Sequence, residues 1–359
     1  MDIVEEALKG RQGLNQGLTI GSSKLNEDLA GLCKGSYIGI AAESKVGKTT
    51  FVVDQFLLQV WLNNPNQNIK WIFYSFEINR LIMAFKFASY FILKDYDETL
   101  SINYLLGRAK DKNKKLLVIS DKHLDYLKVI QDKYIKLLFG EYVNNKQVKE
   151  GKIIFFDKIQ TPAEINLYLK SVTEKYGVTY YENYEVQEGT EKRIEKKFSK
   201  YVSYPDSPHI ILIVDHMRKL KKSLNNKGGE IKQTIDTMSG ILAEYAKDYQ
   251  FSCIAVIHLN RTSTELERLK FLGEFIFPSG EEIKDSGNLL EDVTDLITLF
   301  NPLNPSYRLK KHFGLSLEQF HENYRSAHLV AARYASCPNH YRFNFNGAAG
   351  IFTDFEETN

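Results

Sequence analysis

Two uninterrupted runs of apolar residues constrain the fold of this chain more than any other feature. Ile-Ile-Leu-Ile-Val occupies positions 210–214, and Cys-Ile-Ala-Val-Ile occupies positions 253–257. A strand with one face in water alternates apolar and polar residues, whereas a strand buried on both faces is apolar throughout. Such strands belong to parallel sheets that helices cover on both sides. The runs therefore predict an α/β fold with a buried, mostly parallel central sheet.

Apolar runs of strand length recur along the chain, and segments with helical periodicity separate several of them. This alternation predicts a doubly wound domain, because a crossover helix connects successive parallel strands. The predicted strands are Tyr37–Ala42, Trp71–Ser75, Ile153–Phe156, Ile210–Val214, Cys253–Ile257, Leu296–Phe300, Leu329–Ala332 and Arg342–Phe345. The predicted helices are Thr49–Leu62, Arg80–Leu93, Ala163–Lys175 and Ile231–Asp248.

Two segments interrupt this alternation. Residues 94–150 are rich in Lys, Asp, Asn and Tyr, with a helical pattern around His123–Phe139. Residues 176–207 contain the mixed-charge run Glu191–Lys200, which is typical of a solvated helix face. We interpret both segments as additions to one core, the second as an insertion, and not as separate domains.

The composition excludes several classes of protein. Of the 359 residues, 43% are hydrophobic, which suffices for a full core and excludes a disordered chain. The formal net charge of +2 excludes a strongly basic, histone-like binder but not a local basic patch. Cys33, Cys253 and Cys337 lack the spacing of a disulfide framework or a zinc site, which indicates a reducing compartment. With neither a signal peptide nor a bilayer-length apolar segment predicted, we expect a soluble, cytoplasmic protein without a membrane partner.

The strongest chemical signal is a Gly-Lys-Thr-Thr sequence between the first predicted strand and the first predicted helix. Backbone N–H groups at such a junction, together with the helix N-terminus, bind phosphates. Lys48 would then reach the outer phosphates of a nucleotide, and the Thr49 hydroxyl would be a Mg²⁺ ligand. Ala42 stands where the general pattern has its first glycine, so a chance match in a turn is the alternative, but the strand–loop–helix context favours a nucleotide loop. The predicted phosphate loop comprises Ala42, Glu43, Ser44, Lys45, Val46, Gly47, Lys48, Thr49 and Thr50.

Polar residues that follow three other predicted strands are candidates for the rest of a nucleotide site. Asp215 ends the run 210–214 and is a candidate metal carboxylate; the alternative is an acid that caps a turn. Glu77 is a candidate to orient and deprotonate an attacking water; the alternative is an acid at a helix start. His258 is a candidate γ-phosphate sensor, with a structural histidine as the alternative. Because ligands bind at the carboxyl edge of an open α/β sheet, we expect these residues to meet there.

From about Gly21 to the C-terminus, the sequence resembles the RecA-fold motor domain of the DnaB-type (superfamily 4) hexameric replicative helicases. The resemblance implies a RecA-like P-loop NTPase core that hydrolyses ATP with Mg²⁺, and it gives Glu77 the role of catalytic glutamate. It also implies a homo-oligomeric, hexameric ring that moves 5′–3′ on single-stranded DNA, with a primase or a loader protein as a partner. The matching segments are Gly21–Gly31, Gly39–Thr50, Ser75–Ser89, Thr161–Ile165, Asp215, Asn226–Ile231, Ile257–Arg261 and Lys284–Asp295.

The sequence departs from the family pattern towards both ends. Because about twenty residues precede the match, we expect no collar or primase domain. Residues 1–20 are interpreted as an arm with a short helix at Ile3–Lys9, and residues 21–359 as the ATPase domain. By the resemblance, Met1–Gly17 would correspond to the linker helix that packs on a neighbouring subunit; the alternative is a loose terminal helix. Near the C-terminus the family has a Lys-x-Arg pair that reaches the adjacent subunit's nucleotide, and here Arg333 is the candidate arginine finger. The alternative is a surface arginine that pairs with a local acid.

Basic residues follow Asp215 directly in the sequence. By the resemblance, Met217–Gly229 and Thr262–Glu282 would be loops that line the channel of a ring. Such loops follow a phosphate backbone with little base specificity, whereas the alternative is a solvated basic loop. The predicted nucleic-acid contacts are Arg218, Lys219, Lys221, Lys222, Lys227 and Arg261.

Two alternatives to a helicase stay open on the sequence. One is a RecA-like packaging or recombination motor that does not unwind DNA. The other is a nucleotide-gated scaffold subunit that hydrolyses ATP poorly, against which the complete set of Lys48, Thr49, Glu77 and Asp215 argues.

Overall fold

The two apolar runs form adjacent parallel strands of one sheet. The computed structural model of the chain describes residues 3–13, 15–143, 146–188, 191–222, 231–259, 266–283, 288–320 and 322–355. Its strands are β1 (Tyr37–Ala42), β2 (Ile69–Ser75), β3 (Gly140–Val143), β4 (Lys146–Glu150), β5 (Ile153–Phe156), β6 (Gly177–Glu188), β7 (Glu191–Ser203), β8 (His209–Asp215), β9 (Ser252–His258), β10 (Asp295–Phe300), β11 (Lys311–His312), β12 (Leu315–Ser316), β13 (Tyr324–Ala332), β14 (Asn339–Asn346) and β15 (Ile351–Asp354).

The helices alternate with the parallel strands as the sequence predicts. They are α1 (Ile3–Arg11), α2 (Ser23–Leu29), α3 (Lys48–Val53), α4 (Gln59–Asn63), α5 (Arg80–Tyr96), α6 (Ile102–Leu105), α7 (Asp121–Ile130), α8 (Lys136–Phe139), α9 (Pro162–Tyr176), α10 (Ile231–Tyr249), α11 (Leu266–Leu272) and α12 (Asn288–Asp292). A π-helical segment, Asp54–Leu58, joins α3 to α4, so the predicted helix Thr49–Leu62 is continuous but not α-helical throughout. A second π-helical segment, Gln131–Ile135, joins α7 to α8.

Within the described residues, nine strands form the main sheet in the order β15-β14-β13-β10-β1-β9-β8-β2-β5. Neighbours from β10 to β5 are parallel, whereas β13, β14 and β15 extend the β10 edge in antiparallel order. All eight predicted strands lie in this sheet, and of its nine strands β15 was missed. The prediction of a RecA-like α/β core with a mostly parallel central sheet flanked by helices is confirmed.

The side chains of the central strands alternate between two cores, one on each face of the sheet. Trp71 and Phe73 of β2 belong to one core, which also contains residues of α3 and α5. Ile72 and Tyr74 belong to the other, which contains residues of α9 and α10. Burial of both faces explains why these strands are apolar throughout, and it leaves polar side chains to the strand ends.

Residues 176–207 correct one interpretation of the sequence. Glu191–Lys200 is not the face of a helix, because it lies in β7, which pairs with β6 as a long antiparallel hairpin. The rings of Phe198 and Tyr201 pack on Tyr249 of α10, with centroids 5.5 and 5.3 Å away. Opposite charges and aromatic rings that pair across two strands stabilise a ribbon, and this favours the hairpin over a helix here.

Further secondary structure lies in residues 94–150. The helical pattern around His123–Phe139 is confirmed by α7, the π-helical segment and α8. The hairpin of β3 and β4 follows and was not predicted.

In the part of the chain that the structure describes, no helix is both long and apolar enough to cross a membrane.

Candidate nucleotide-binding site

The carboxyl ends of β1, β2, β8 and β9 surround a cleft of about 410 Å³. The cleft contains the three polar residues that the sequence predicts at strand ends, together with much of the predicted phosphate loop. Its lining residues are Ser44, Lys45, Gly47, Lys48, Thr49, Thr50, Glu77, Ile78, Lys86, Asp215, His216 and His258.

The phosphate loop follows β1 and turns into α3 at Gly47. Gly47 has φ of 115°, and a Cβ at this position would lie 3.3 Å from Cζ of Phe352. The left-handed backbone favours glycine here, and the close ring leaves little room for a Cβ. Ala42, by contrast, is the last residue of the extended strand β1. Because an extended backbone accepts any side chain, alanine is tolerated where the general pattern has glycine.

Lys48 is buried, and its ammonium group is held over the loop. Its Nζ donates hydrogen bonds to the carbonyl oxygens of Ala42 and Glu43, at 2.9 and 2.8 Å, and lies 3.4 Å from Nδ1 of His258. Burial lowers the pKa of Lys48 to about 8, against the opposing effect of the nearby carboxylates, of which Asp215 contributes most. A desolvated cation that is held only by neutral groups, beside a helix N-terminus, is suited to bind an anionic phosphate.

Thr49 and Asp215 form an oxygen pair beside the loop. The Thr49 hydroxyl donates to Oδ2 of Asp215 at 2.7 Å, and the other oxygen, Oδ1, is buried without a hydrogen-bond partner. Burial raises the pKa of Asp215 to about 6. An orphaned carboxylate oxygen next to a hydroxyl is an oxygen donor set of the kind that Mg²⁺ takes in nucleotide sites. The residues present therefore fit a magnesium ion.

Glu77 lies across the cleft from the phosphate loop and is bound by His216, which was not predicted as a site residue. Nε2 of His216 lies 3.0 Å from Oε1 of Glu77, and the ring of His216 packs edge-on against that of His258, with centroids 4.3 Å apart. Burial lowers the pKa of His216 and brings that of His258 to about 3, so both rings are neutral near pH 7. The three side chains offer ligand atoms within 4.8 Å of one another, a His/carboxylate set that also suits a transition metal.

Two basic residues that were not predicted as site residues support the cleft. Nζ of Lys86, on α5, donates to Oγ1 of Thr50 at 3.1 Å, which places a second cation beside the loop. Burial lowers the pKa of Lys86. Arg325, on β13, donates through Nε to the carbonyl oxygen of Val46 at 3.2 Å and thereby holds the loop from behind. A lysine within a strongly apolar helix was a usable signal for Lys86, whereas nothing in the local sequence indicates Arg325.

Arg333 lies at the opposite edge of the sheet from the cleft of its own chain. It follows β13, which runs antiparallel to β10 so that Ala332 pairs with Asp295 at the start of β10. The backbone N–H of Arg333 donates to the carbonyl oxygen of Thr294. Arg333 therefore does not reach the phosphate loop within the same chain, and any role at a nucleotide requires a second subunit.

The predicted nucleic-acid contacts begin at the carboxyl end of β8, on the same edge as the cleft. Arg218 and Lys219 lie in a 3₁₀ turn, Met217–Lys219, and Lys221 and Lys222 are exposed just beyond it. Nζ of Lys219 lies 4.0 Å from Oε1 of Glu77. Two further predicted contacts, Lys227 and Arg261, lie outside the described residues.

The fold is similar to that of solved helicase and ATPase domains. One is a DnaB-like replicative helicase, described with its interactions with primase; the TM-score is 0.64 at 15% identity, covering 99% of this chain and 65% of that chain. Another is a solved ATPase domain, with a TM-score of 0.64 at 15% identity, covering 99% of this chain and 96% of that domain. This chain thus spans 65% of the length of the first helicase. No protein-family model and no curated protein sequence matches the chain. The chain has the fold of a DnaB-type helicase ATPase domain.

Proposed function

We propose that this protein is a Mg²⁺-dependent ATPase that moves along single-stranded DNA as a ring of identical subunits, in the manner of a DnaB-like replicative helicase. The observation that carries the proposal is the single cleft that joins Lys48, the Thr49–Asp215 pair and Glu77. Phosphate binding, metal binding and water activation are the three requirements of ATP hydrolysis, and each has a residue of the right type in this cleft. The fold, shared with helicase ATPase domains, supports the same proposal.

The phosphate loop would bind the triphosphate of ATP. Its backbone N–H groups and the start of α3 supply positive potential, and Lys48 would exchange two carbonyl acceptors for phosphate oxygens. Lys86 is placed to add a second positive charge. Thr49 and Asp215 would hold Mg²⁺, which when bound neutralises charge on the phosphate oxygens.

Glu77 would orient the attacking water and accept its proton. Its carboxylate stands at the end of β2, beside β8, and its side chain is 43% exposed, so water reaches it. General-base catalysis of this kind contributes about 10²- to 10⁴-fold to a rate. His258 lies against the Lys48 ammonium and would sense the arrival of a phosphate, because Lys48 would then move away from its ring.

A ring of subunits would complete the site and create the DNA channel. Arg333 is remote from its own cleft, so as an arginine finger it would act on the nucleotide of the adjacent subunit, and a closed ring makes every such interface alike. The basic residues after β8 lie at the same edge of the cleft as Glu77. They would therefore be positioned to couple binding of the DNA phosphate backbone to ATP hydrolysis. A primase or loader protein is a proposed partner by the same resemblance.

The proposal is tested by steady-state ATP turnover and ATP binding in three variants. Lys48→Ala should lose both tight binding and turnover, whereas Glu77→Gln should bind ATP but hydrolyse it at least about 10²-fold more slowly. Lys94→Ala, which changes an exposed lysine at the end of α5, is the matched control and should behave as wild type. Wild-type turnover in Lys48→Ala would refute the nucleotide site, and unchanged turnover in Glu77→Gln would refute only the role of Glu77.

A further inference from the structure

Glu77 and its partner His216 differ sharply in how firmly the protein holds them. The Glu77 side chain is 43% exposed, whereas that of His216 is 4% exposed. An exposed glutamate samples several rotamers and gains little from a single surface contact. A buried ring 3.0 Å from its carboxylate oxygen can therefore select one of those rotamers.

The ring of His216 is fixed from several directions. It directly follows Asp215, which pairs with Ser75 in the sheet, and the carbonyl oxygen of Asp215 accepts from the N–H of Phe76 at 2.8 Å. The ends of β2 and β8 are thus joined immediately before Glu77 and His216. The edge-on contact with His258 supports the ring from its other side.

The hydrogen bond between them has a defined direction. An ionised carboxylate only accepts, so Nε2 of His216 must carry the hydrogen, and this leaves Nδ1 as the unprotonated nitrogen of a neutral ring. Nδ1 is buried without a hydrogen-bond partner, so the imidazole makes one polar contact here, and that contact is with Glu77. A buried histidine with a single polar contact to an exposed acid is better explained by the position of the acid than by stability.

Neither a bound transition metal nor Lys219 accounts for the position of the Glu77 carboxylate as well as His216 does. A transition metal held by Glu77, His216 and His258 would lie beside the Lys48 ammonium, which is 3.4 Å from Nδ1 of His258, and the two cations would repel each other. Lys219 lies 4.0 Å from the same Glu77 oxygen, but its side chain is 51% exposed, so it holds the carboxylate weakly.

We propose that His216 is a positioning residue for hydrolysis, which holds the Glu77 carboxylate in the rotamer that accepts a proton from the attacking water. This inference rests on the proposed function, because it assigns a role to His216 only if Glu77 is the base. Its effect would be confined to the chemical step. His216 directly follows the proposed metal carboxylate Asp215, but its side chain hydrogen-bonds to Glu77 and not to Thr49 or the phosphate loop, so ATP affinity should change little.

The test is a comparison of kcat and KM for ATP in His216→Leu, His216→Gln and His216→Asn. Leucine removes the donor, and we expect kcat to fall about 10- to 100-fold with KM within about twofold, because a misplaced catalytic group costs this much. Glutamine carries an N–H about as far from its backbone as Nε2 and should restore most of the rate. Asparagine carries the same amide group on a side chain that is one methylene shorter, so it should not restore the rate.

A double variant separates positioning from general damage to the cleft. In a Glu77→Gln background, His216→Leu should cause no further loss in single-turnover hydrolysis, because the histidine acts through Glu77. A further loss equal to that in the wild-type background, or equal rates for the glutamine and asparagine variants, would overturn the inference. If the leucine variant does not fold, the Gln and Asn pair still decides. Absent wild-type turnover would refute the proposed function itself, whereas a harmless His216→Leu beside an inactive Glu77→Gln would refute this inference alone.

Discussion

Arg325 provides a test of the fold's contribution to nucleotide binding, because it supports the phosphate loop from outside the cleft. Besides the Nε bond to the loop carbonyl of Val46, its Nη1 lies 2.7 to 3.0 Å from Oδ1 of Asn301 and from the carbonyl oxygens of Glu322 and Tyr324, and it shares its N–H groups among these acceptors. Burial lowers the pKa of Arg325 to about 10, so the group stays charged near pH 7. We predict that Arg325→Met weakens both ATP binding and the folded state.

The size of the effect follows from these contacts. Hydrogen bonds from a charged donor contribute about 1.5 to 3 kcal/mol each, but the buried guanidinium also bears a desolvation cost that methionine does not. We expect a net loss of about 2 to 4 kcal/mol in the free energy of unfolding. The Nε bond reaches the loop directly, so ATP affinity should fall about tenfold, which corresponds to about 1.4 kcal/mol.

The assay pairs a fluorescent ATP analogue, titrated to measure Kd, with urea denaturation to measure stability. Arg342→Met is the matched control, because Arg342 lies on the neighbouring strand β14 and donates to the carbonyl oxygen of Phe313, away from the loop. The control should keep wild-type Kd even if it loses stability. An unchanged Kd in Arg325→Met, or an equal change in the control, would refute the role of Arg325 in holding the loop.

Three further predictions concern other parts of the molecule. Burial raises the pKa of Asp54 from 3.8 to about 7. Between pH 4 and 7 the folded state therefore retains a proton that the unfolded chain releases. The free energy of unfolding of wild type, measured relative to that of Asp54→Asn, should fall by up to about 4 kcal/mol as the pH rises through this window. A difference that is independent of pH would contradict this. Changing Lys219, Lys221 and Lys222 together to alanine should weaken single-stranded DNA binding and flatten its salt dependence while basal ATPase is retained; unchanged DNA affinity would make the loop a solvated surface. Arg333→Ala should bind ATP but lose most turnover, and mixing it with Lys48→Ala should restore some activity, because some interfaces would then pair an intact Lys48 with an intact Arg333. Full ATPase activity in Arg333→Ala would refute its role at the nucleotide of the adjacent subunit.

Much of the sheet and part of the site could be predicted from the sequence, because both depend on local patterns. Strands buried on both faces are apolar throughout, so the polar residue that ends each run identifies the sheet edge, as it does for Asp215 and His258. The roles of His216 and Arg325, by contrast, depend on contacts between positions that are distant in the sequence. Val46 and Arg325 are 279 residues apart, and His216 acquires its partner only when β2 and β8 become neighbours.

The hairpin of β6 and β7 was misread for a different reason. Its charged residues recur closely enough to suggest a solvated helix, but its aromatic residues decide the structure. Phe198 and Tyr201 contribute rings to one face of the ribbon, where Tyr249 covers them. That covering ring lies on α10, far along the chain, so the preference for a strand over a helix is set by tertiary packing and not by the local pattern.

The most direct test of the central claim is the rate of ATP hydrolysis by the purified wild-type chain, measured with Mg²⁺ in the presence and absence of single-stranded DNA. The cleft predicts Mg²⁺-dependent turnover, and the basic residues beside Glu77 predict that single-stranded DNA increases it. The Glu77→Gln variant, assayed in parallel, should lose nearly all of both the basal and the stimulated turnover. An ATP turnover rate that single-stranded DNA does not change would contradict the proposal of a DNA motor. A wild-type chain that binds ATP but hydrolyses none under either condition would contradict the proposed ATPase function altogether.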